Sequence, residues 1–281
     1  MKPYFLFESL IEREKTAPML LAARKLVEYL NLDAIPFTHA KADVGSEFIG
    51  LDKLKFLEHY AYNLSHASHE KRDILCIEQS SFIAHAYTKE LLLNDETLYA
   101  VIEKQLHTKN ISLNLESNVV CLEQVLVEDV GIETLKQHIK HPLNNFQAAL
   151  FLGTHACRAR KYRKETLLTQ LLTTLKLKSI SHASMYESDG YEVLKASSLL
   201  SKQLASRAIL DMFDNAADFV LISDARSFVM LDFYQQELEN VAGREINLPI
   251  LSLPQLLLLA FGMHDKKSIG LAQHKVPITL I

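Results

Sequence analysis

The chain has 281 residues and 48% of them are apolar, which is enough to bury one large core or two medium ones. Its 30 basic and 34 acidic residues give a formal net charge of -4, so no surface-wide field attracts nucleic acid or anionic lipid. This balance predicts no nucleic-acid partner, although local charged patches remain open.

Neither end of the sequence predicts a membrane-spanning segment. The apolar stretch near the N-terminus is too short for a signal peptide, and acidic residues follow it directly. The run at 250–263 contains Pro254 and is shorter than the roughly 20 residues that cross a bilayer, which favours a buried helix. Cys76, Cys121 and Cys157 have no paired spacing, which is typical of a reducing compartment. We expect a cytoplasmic protein, with any membrane association running through a partner.

In chain order, the first half alternates apolar strand-like runs with amphipathic helices. The expected elements are a strand at 4–7, a helix at 19–32, a strand-like segment at 34–40, a turn at 42–48, a helix at 51–72, a strand at 73–77 and a helix from about 79.

The second half repeats this order after a segment at 119–147, which reads as one helix that breaks near Pro142. Its expected elements are a strand at 148–152, a helix at 165–178, a segment at 179–186, a turn at 187–190, a helix at 194–216, a strand at 218–223 and a helix at 227–238. The repetition indicates an internal duplication.

Three landmarks support the duplication, because each recurs after 145 or 146 residues. These landmark pairs are Glu8 with Thr154, Gly45 with Gly190, and Glu78 with Asp224. Alternating strands and helices imply parallel strands with helical crossovers, so the predicted class is α/β, with two similar modules related by pseudo-two-fold symmetry. We expect a first module at 1–115, a connecting helix at 116–145, and a second module at 146–281 that includes a C-terminal helical extension.

Several stretches resemble one known family, the HdrB subunits of heterodisulfide reductases and their relatives. The helix, glycine, Pro-Leu and strand sequence at 122–158 is similar to the middle of that family. The segments at 214–236 and 246–276 resemble its later strand and helix elements, and 71–86 extends the likeness into the first half. The family carries a duplicated module with one cysteine after the first strand, a Cys-Cys-Gly turn and a Cys-x-x-Cys turn. The resemblance implies thiolates that hold an iron-sulfur cluster for redox chemistry, in a protein that works beside other oxidoreductase subunits.

Carried over position by position, the resemblance leaves no cysteine at any ligand position. The first module has Glu8 at the single-cysteine position, Asp43, Val44 and Gly45 at the Cys-Cys-Gly turn, and Glu78 and Ser81 at the Cys-x-x-Cys turn. The second module has Thr154, then Ser188, Asp189 and Gly190, then Asp224 and Ser227, and His155 aligns with a histidine common in the family. Iron-sulfur clusters require soft thiolate donors, so we expect no cluster, no other cofactor and no bound metal.

Two other features of the sequence could carry chemistry. Converging carboxylates at Glu8, Asp43, Glu78, Asp189 and Asp224 could bind a hard divalent cation, although such residues more often cap helices. The second feature is a basic run that could contact an anion or an acidic partner and would lower the pKa of the lone thiol of Cys157. This run consists of Arg158, Arg160, Lys161, Arg163 and Lys164.

The sequence therefore predicts a retained scaffold whose redox site has been lost. The favoured hypothesis is a cluster-free HdrB-like protein that acts by binding, as a structural or assembly partner of an oxidoreductase or respiratory complex, with no catalytic residues. One alternative is an active oxidoreductase subunit that uses another metal or the thiol of Cys157. A second alternative is a small-molecule binder that uses the cleft between the modules.

Overall fold

The protein contains two parallel four-stranded sheets flanked by helices, as seen in a computed structural model that describes residues 2–9, 11–158, 160–162 and 165–279. The first sheet has the order β2-β1-β3-β4 and the second has the order β6-β5-β7-β8. The strands of the first sheet are β1 (Tyr4–Phe7), β2 (Ala34–Pro36), β3 (Asp73–Cys76) and β4 (Val119–Cys121). The strands of the second are β5 (Gln147–Phe151), β6 (Lys178–Ser179), β7 (Phe219–Ile222) and β8 (Ile250–Ser252). The identical strand orders confirm the predicted α/β class and its two similar modules.

The helices follow the strands in the order that the duplication predicts. Those before the second sheet are α1 (Arg13–Tyr29), α2 (Lys53–His69), α3 (Gln79–Asn94), α4 (Glu96–His107), α5 (Leu122–Gln124) and α6 (Ile132–His138). Those of the second module are α7 (His155–Arg158), α8 (Glu165–Thr174), α9 (Ser198–Asp214), α10 (Ala225–Phe228), α11 (Gln235–Ala242) and α12 (Leu253–Ala260). Short π-helical segments at Val125–Gly131 and Val229–Phe233 join α5 to α6 and α10 to α11.

The central strands form because their sequences are short apolar runs that helices cover on both faces. All four residues of β7 are buried. In the first sheet Tyr4–Phe7 pair in register with Asp73–Cys76, and in the second 148–151 pair with 219–222 in the same way. The carboxyl ends of the central strands of each sheet therefore lie at one edge, where the following turns carry the polar residues.

Two long helices at equivalent positions begin with side-chain caps. Asp52 accepts a hydrogen bond from the backbone N–H of Lys55 at the start of α2, and Ser197 accepts one from Leu200 at the start of α9. Such caps satisfy backbone donors that the first helical turn leaves without partners. They fix where each helix starts relative to the turn before it.

The two modules share one hydrophobic core, so they form a single packed body. Helix α1 of the first module packs against α12 at the end of the chain, and Leu26 and Leu257 belong to the same buried cluster. Every residue of α12 is buried, which confirms that the apolar run at 250–263 belongs to the core. Two further clusters lie on the outer faces of the two sheets.

The structure corrects the expectation of one helix in the connecting segment. That segment begins with β4, which supplies the fourth strand of the first sheet, and helix α6 ends at His138, before Pro142. The three apolar residues of β4 are followed at once by a helical pattern, which hid the strand in the sequence. The division into 1–115, 116–145 and 146–281 remains a prediction.

The outer strands are shorter than the sequence suggests. The segment at 34–40 is a strand only at Ala34–Pro36, and β6 covers two residues before a 3-10 turn at Ala183–Tyr186. An outer strand pairs on one side only, so fewer hydrogen bonds extend it. Within the described ranges, no helix is long and apolar enough to cross a membrane.

Candidate functional site

The carboxyl edges of the two sheets face each other, and the polar residues that follow the strands meet there. The backbone N–H of Gln79 in the first module donates to the carbonyl of Ser223 in the second at 3.2 Å. We call this contact region the seam. Its polar residues are Asp43, Glu78, Ser81, His155, Asp189, Asp224, Arg226 and Ser227.

Two carboxylates cross the seam and bind the opposite module. Glu78 immediately precedes α3 and accepts a hydrogen bond from the backbone N–H of Ala225 at 3.0 Å. Asp224 immediately precedes α10 and accepts one from the backbone N–H of Ser80 at 3.1 Å. Each carboxylate thus satisfies a backbone donor in the first turn of the other module's helix, where the helix dipole favours negative charge. The crossed contacts tie the two modules together through residues at former ligand positions.

A matched pair of hydrogen bonds closes each module's own part of the seam. Ser81 donates to Asp43 at 2.6 Å, and Ser227 donates to Asp189 at 2.7 Å. All four residues are buried, and both pairs are separated by 38 residues in sequence. Each bond joins the glycine turn to the helix start of the same module. The duplication is therefore preserved in side-chain contacts as well as in strand order.

The two turn glycines are required by backbone geometry and by close contacts. Gly45 has a φ of 83° and Gly190 a φ of 79°, both in the left-handed region that glycine tolerates best. A Cβ at Gly45 would lie 2.0 Å from the guanidinium of Arg226, and one at Gly190 would lie 2.3 Å from the carbonyl oxygen of Ser201. Both glycines therefore have a structural role that does not depend on a cluster.

Arg226 is the central residue that sequence reasoning missed. Its guanidinium reaches across the seam to Glu47 at 2.7 Å, lies 3.8 Å from Asp43, and sits over the ring of Tyr191 at 5.5 Å. Burial would raise the pKa of Glu47, but the charge of Arg226 holds it below its usual value. The position of Arg226 inside the former Cys-x-x-Cys turn, between Asp224 and Ser227, was the available signal.

His155 and Asp224 form a buried ion pair next to the crossed contacts. The Nε2 atom of His155 lies 2.8 Å from Oδ2 of Asp224. Burial lowers the pKa of His155, but the Asp224 carboxylate outweighs it and the net shift is upward. Burial raises the pKa of Asp224, while His155 and its hydrogen bonds hold it below the usual value. The charged form of the pair is therefore favoured around neutral pH.

Two other carboxyl groups of the seam hold protons more tightly than exposed ones. Burial, together with the neighbouring charge of Asp224, raises the pKa of Glu78 to about 7. Burial and the charge of Glu192 raise the pKa of Asp189 to about 6. Both groups therefore titrate within the range in which cells operate.

Four predicted ligand positions point elsewhere. The carboxylate of Glu8 binds Arg24 through two hydrogen bonds, at 2.5 and 2.7 Å. Val44 contributes only its backbone N–H, which donates to Tyr60 at 3.3 Å, and the hydroxyl of Ser188 contacts Glu192 at 3.1 Å. Thr154 is half-buried and lines a small cavity. The structure therefore brings six of the predicted polar positions together at the seam, while these four do not take part in its hydrogen bonds.

The basic run lies only in part within the described residues. Lys161 forms an ion pair with Glu90 of α3, and the hydroxyl of Tyr162 donates to the same carboxylate. Arg163 and Lys164 fall outside the described ranges, and so do the side chains of Cys157, Arg158 and Arg160. The predicted anion contact and the reactive thiol of Cys157 both remain predictions.

Three small cavities line the interface of the modules, and each has room for about one water molecule. One of about 20 Å³ is lined by Thr154, His155, Asp189 and Asp224. Its neighbours, of about 30 and 20 Å³, share Glu123 and Ser223 in their walls. Burial raises the pKa of Glu123. These volumes suit single waters rather than a metabolite.

The donor set at the seam does not suit an iron-sulfur cluster. The positions that correspond to cysteine ligands offer carboxylate or hydroxyl oxygens, or no donor at Val44, whereas iron in such clusters requires thiolate sulfur. The oxygens of Asp43, Asp189 and Asp224 already accept hydrogen bonds from serine hydroxyls or backbone amides. Among the residues that the structure describes, no three His, Cys, Asp or Glu side chains are grouped to hold a metal ion.

Removing either serine of the matched pairs should destabilise the protein to a similar extent. Ser81→Ala and Ser227→Ala each leave a buried carboxylate without one donor, which should lower the free energy of unfolding by about 1 to 2 kcal/mol. Urea denaturation checks this, with Ser198→Ala at an exposed position of α9 as the control. An effect at only one of the two serines would contradict the equivalence of the pairs.

The fold and the seam define a duplicated α/β protein in which a polar network joins two modules at their cysteine-free ligand positions. Residues 191–275 match the HdrB-like C-terminal domain family. An HdrB-like protein of Archaeoglobus profundus, named for its likeness to a heterodisulfide reductase component, is 20% identical over 75% of this chain and 74% of its own length. The chain is therefore HdrB-like, as its sequence predicts.

A second relative and a solved structure are also similar to this chain. The 8-methylmenaquinol:fumarate reductase membrane anchor subunit of Wolinella succinogenes is 27% identical over 60% of the chain, and the match spans 61% of that protein's length. A hypothetical protein from Helicobacter pylori has the same fold over the whole chain, with a TM-score of 0.82 and 19% identity, and the match covers 53% of that structure.

Proposed function

We propose that this chain is a cluster-free HdrB-like protein that acts by binding, as a structural or assembly partner of a respiratory or other oxidoreductase complex. One observation carries the proposal. The residues at the former ligand positions hold the two modules together, through the crossed contacts of Glu78 and Asp224 and the matched Asp-Ser pairs. The site is thus occupied by its own hydrogen-bond network.

The chemistry of the seam supports a binding role over redox turnover. Two-electron redox reactions need a cofactor or a pair of reactive thiols. Cys76 is fully buried and burial raises its pKa, so its reactive thiolate form is disfavoured. Cys121 is its partner in the register of β3 and β4 and is also buried. Neither cysteine lies at the mouth of the seam.

The relatives suggest the kind of partner. One is named as the membrane anchor of 8-methylmenaquinol:fumarate reductase, and the other is named for its likeness to one subunit of heterodisulfide reductase. Both names refer to parts of multi-subunit oxidoreductases. We therefore propose an oxidoreductase subunit as the protein that this chain binds.

The proposal is tested by isolating the tagged chain, produced at its natural level, from its source cells without oxygen. We expect oxidoreductase subunits to co-purify in a fixed ratio that survives gel filtration. An untagged strain controls for adventitious capture. Recovery of the chain alone would contradict a role as a partner subunit.

The same sample separates the two alternatives. A redox protein that uses Cys157 would lose disulfide or quinol-linked activity in a Cys157→Ser variant, whereas a binding protein would keep its partners unchanged. A small-molecule binder would instead show a shift in melting temperature with a metabolite, by mass action. The cavities at the module interface, of about 20 to 30 Å³, do not favour that alternative.

A further inference from the structure

Two pairs of exposed leucines mark the starts of the equivalent helices α2 and α9. The exposed fractions are 82% for Leu51, 38% for Leu54, 63% for Leu199 and 46% for Leu200. We call these four side chains the leucine face. Large apolar side chains that repeat at equivalent places in a duplicated protein indicate a shared use rather than chance exposure.

Both leucine pairs are attached to the turns that Arg226 joins. Leu51 directly follows the turn at Ser46–Gly50, whose Glu47 binds Arg226. The turn at Tyr191–Val193 presents its tyrosine ring to the same guanidinium, and Ser197 at the start of α9 donates its N–H to the carbonyl of Val193 at 2.8 Å. The two pairs therefore flank the mouth of the seam.

Exposed lysines accompany the leucines. Lys53 and Lys55 lie beside the first pair and Lys195 lies before the second. Asp52 is the one acidic residue within these segments and pairs with Lys55 at 3.4 Å. The local charge is thus positive on a protein whose formal net charge is -4. A negatively charged surface would be attracted here although the whole molecule offers no such field.

We propose that the leucine face docks on the surface of an anionic lipid bilayer. Leucines on exposed helix starts can enter the boundary between headgroups and acyl chains, while neighbouring lysines pair with lipid phosphates. Leu51 and Leu199 stand out from separate helix starts, an arrangement that a deformable bilayer accommodates. Docking of this kind is peripheral and needs no spanning helix. It does not depend on the proposed protein partner, so either proposal can fail alone.

Vesicle flotation tests the docking. The purified chain is mixed with vesicles of phosphatidylcholine alone or of phosphatidylcholine with phosphatidylglycerol, at low and high salt. We expect flotation with the anionic vesicles only, and weaker flotation at high salt because screening reduces the attraction of the lysines. The double variant Leu51→Ser with Leu199→Ser should bind at least about tenfold more weakly.

Leu93→Ser is the matched control, because Leu93 is 61% exposed on α3 and lies outside the leucine face. Circular dichroism confirms that each variant is folded. The proposal is wrong if the unaltered chain does not float, if it floats equally with phosphatidylcholine alone, or if Leu93→Ser weakens flotation as much as the double variant does. A change in oligomeric state on altering the leucines, without lipid binding, would identify the face as a contact between copies of the chain and would likewise overturn the proposal.

Discussion

Raising the pH from about 5 to about 7.5 should lower the free energy of unfolding by about 3 kcal/mol, mainly through Glu78 and Asp189. Burial raises the pKa of Glu78 to about 7, compared with 4.5 for an unperturbed carboxyl group. That of Asp189 is raised to about 6, compared with 3.8. Between the two values of each group the folded state holds a proton that the unfolded state has released. Stability is therefore lost as the pH rises through this window.

The ion pair of the seam modifies the profile at its two ends. The pKa of His155 is raised by Asp224 against the effect of burial, so its stabilising contribution is also lost as the pH rises above 6.5. The pKa of Asp224 is lowered by His155, so its contribution is lost only as the pH falls below 3.8. The sum places maximum stability on the acidic side of neutrality.

Replacing Glu78 by glutamine isolates the largest share. The amide keeps the shape of the side chain and an acceptor for Ala225, but it does not titrate. The variant should lose about 2 kcal/mol of the pH dependence between about pH 5 and 7.5, measured by urea denaturation at a series of pH values. Glu103→Gln, at an exposed position of α4, should leave the profile unchanged. A wild-type profile that is flat or rises over this range would contradict the assigned role of the buried carboxyl groups.

Gly190→Ala is expected to be among the most destabilising substitutions in the chain, with a loss of at least about 3 kcal/mol. The φ of 79° is unfavourable for alanine, and the added Cβ would lie 2.3 Å from the backbone carbonyl oxygen of Ser201. That oxygen belongs to α9 and cannot move away like a flexible side chain. The Asp189-Ser227 bond beside the turn would be strained as well.

Gly243→Ala supplies the control for backbone strain alone. Gly243 ends α11 with a φ of 69°, and nothing lies within 4 Å of its added Cβ. Alanine there should cost about 1 kcal/mol. Equal losses for the two variants, measured by urea denaturation, would show that the close approach of α9 to the second turn has no energetic importance.

The sequence predicts the duplication well, because the spacing of the landmarks is a local property of the chain. Asp43 precedes Ser81 by the same 38 residues that separate Asp189 from Ser227, and these residues do meet. The two retained glycines were assigned to backbone geometry, and their positive φ values confirm this.

The contacts across the seam could not be predicted in the same way. Glu78 and Ala225 lie 147 residues apart, and only the docking of the modules brings them together. The insertion of Arg226 against Gly45 also depends on docking. The carboxylate of Glu8 turns to Arg24 because a basic residue of α1 lies within reach, although its place in sequence suggested the seam. Long-range packing decides these cases.

The central claim is that the former cluster site is closed by its own side chains and holds no iron. Iron and acid-labile sulfide should be measured in the chain purified without oxygen from iron-supplied cells, together with its visible absorption spectrum. We predict iron and sulfide far below one atom of each per chain and no absorption band from sulfur-to-iron charge transfer. Stoichiometric iron and sulfide with such a band would contradict this claim.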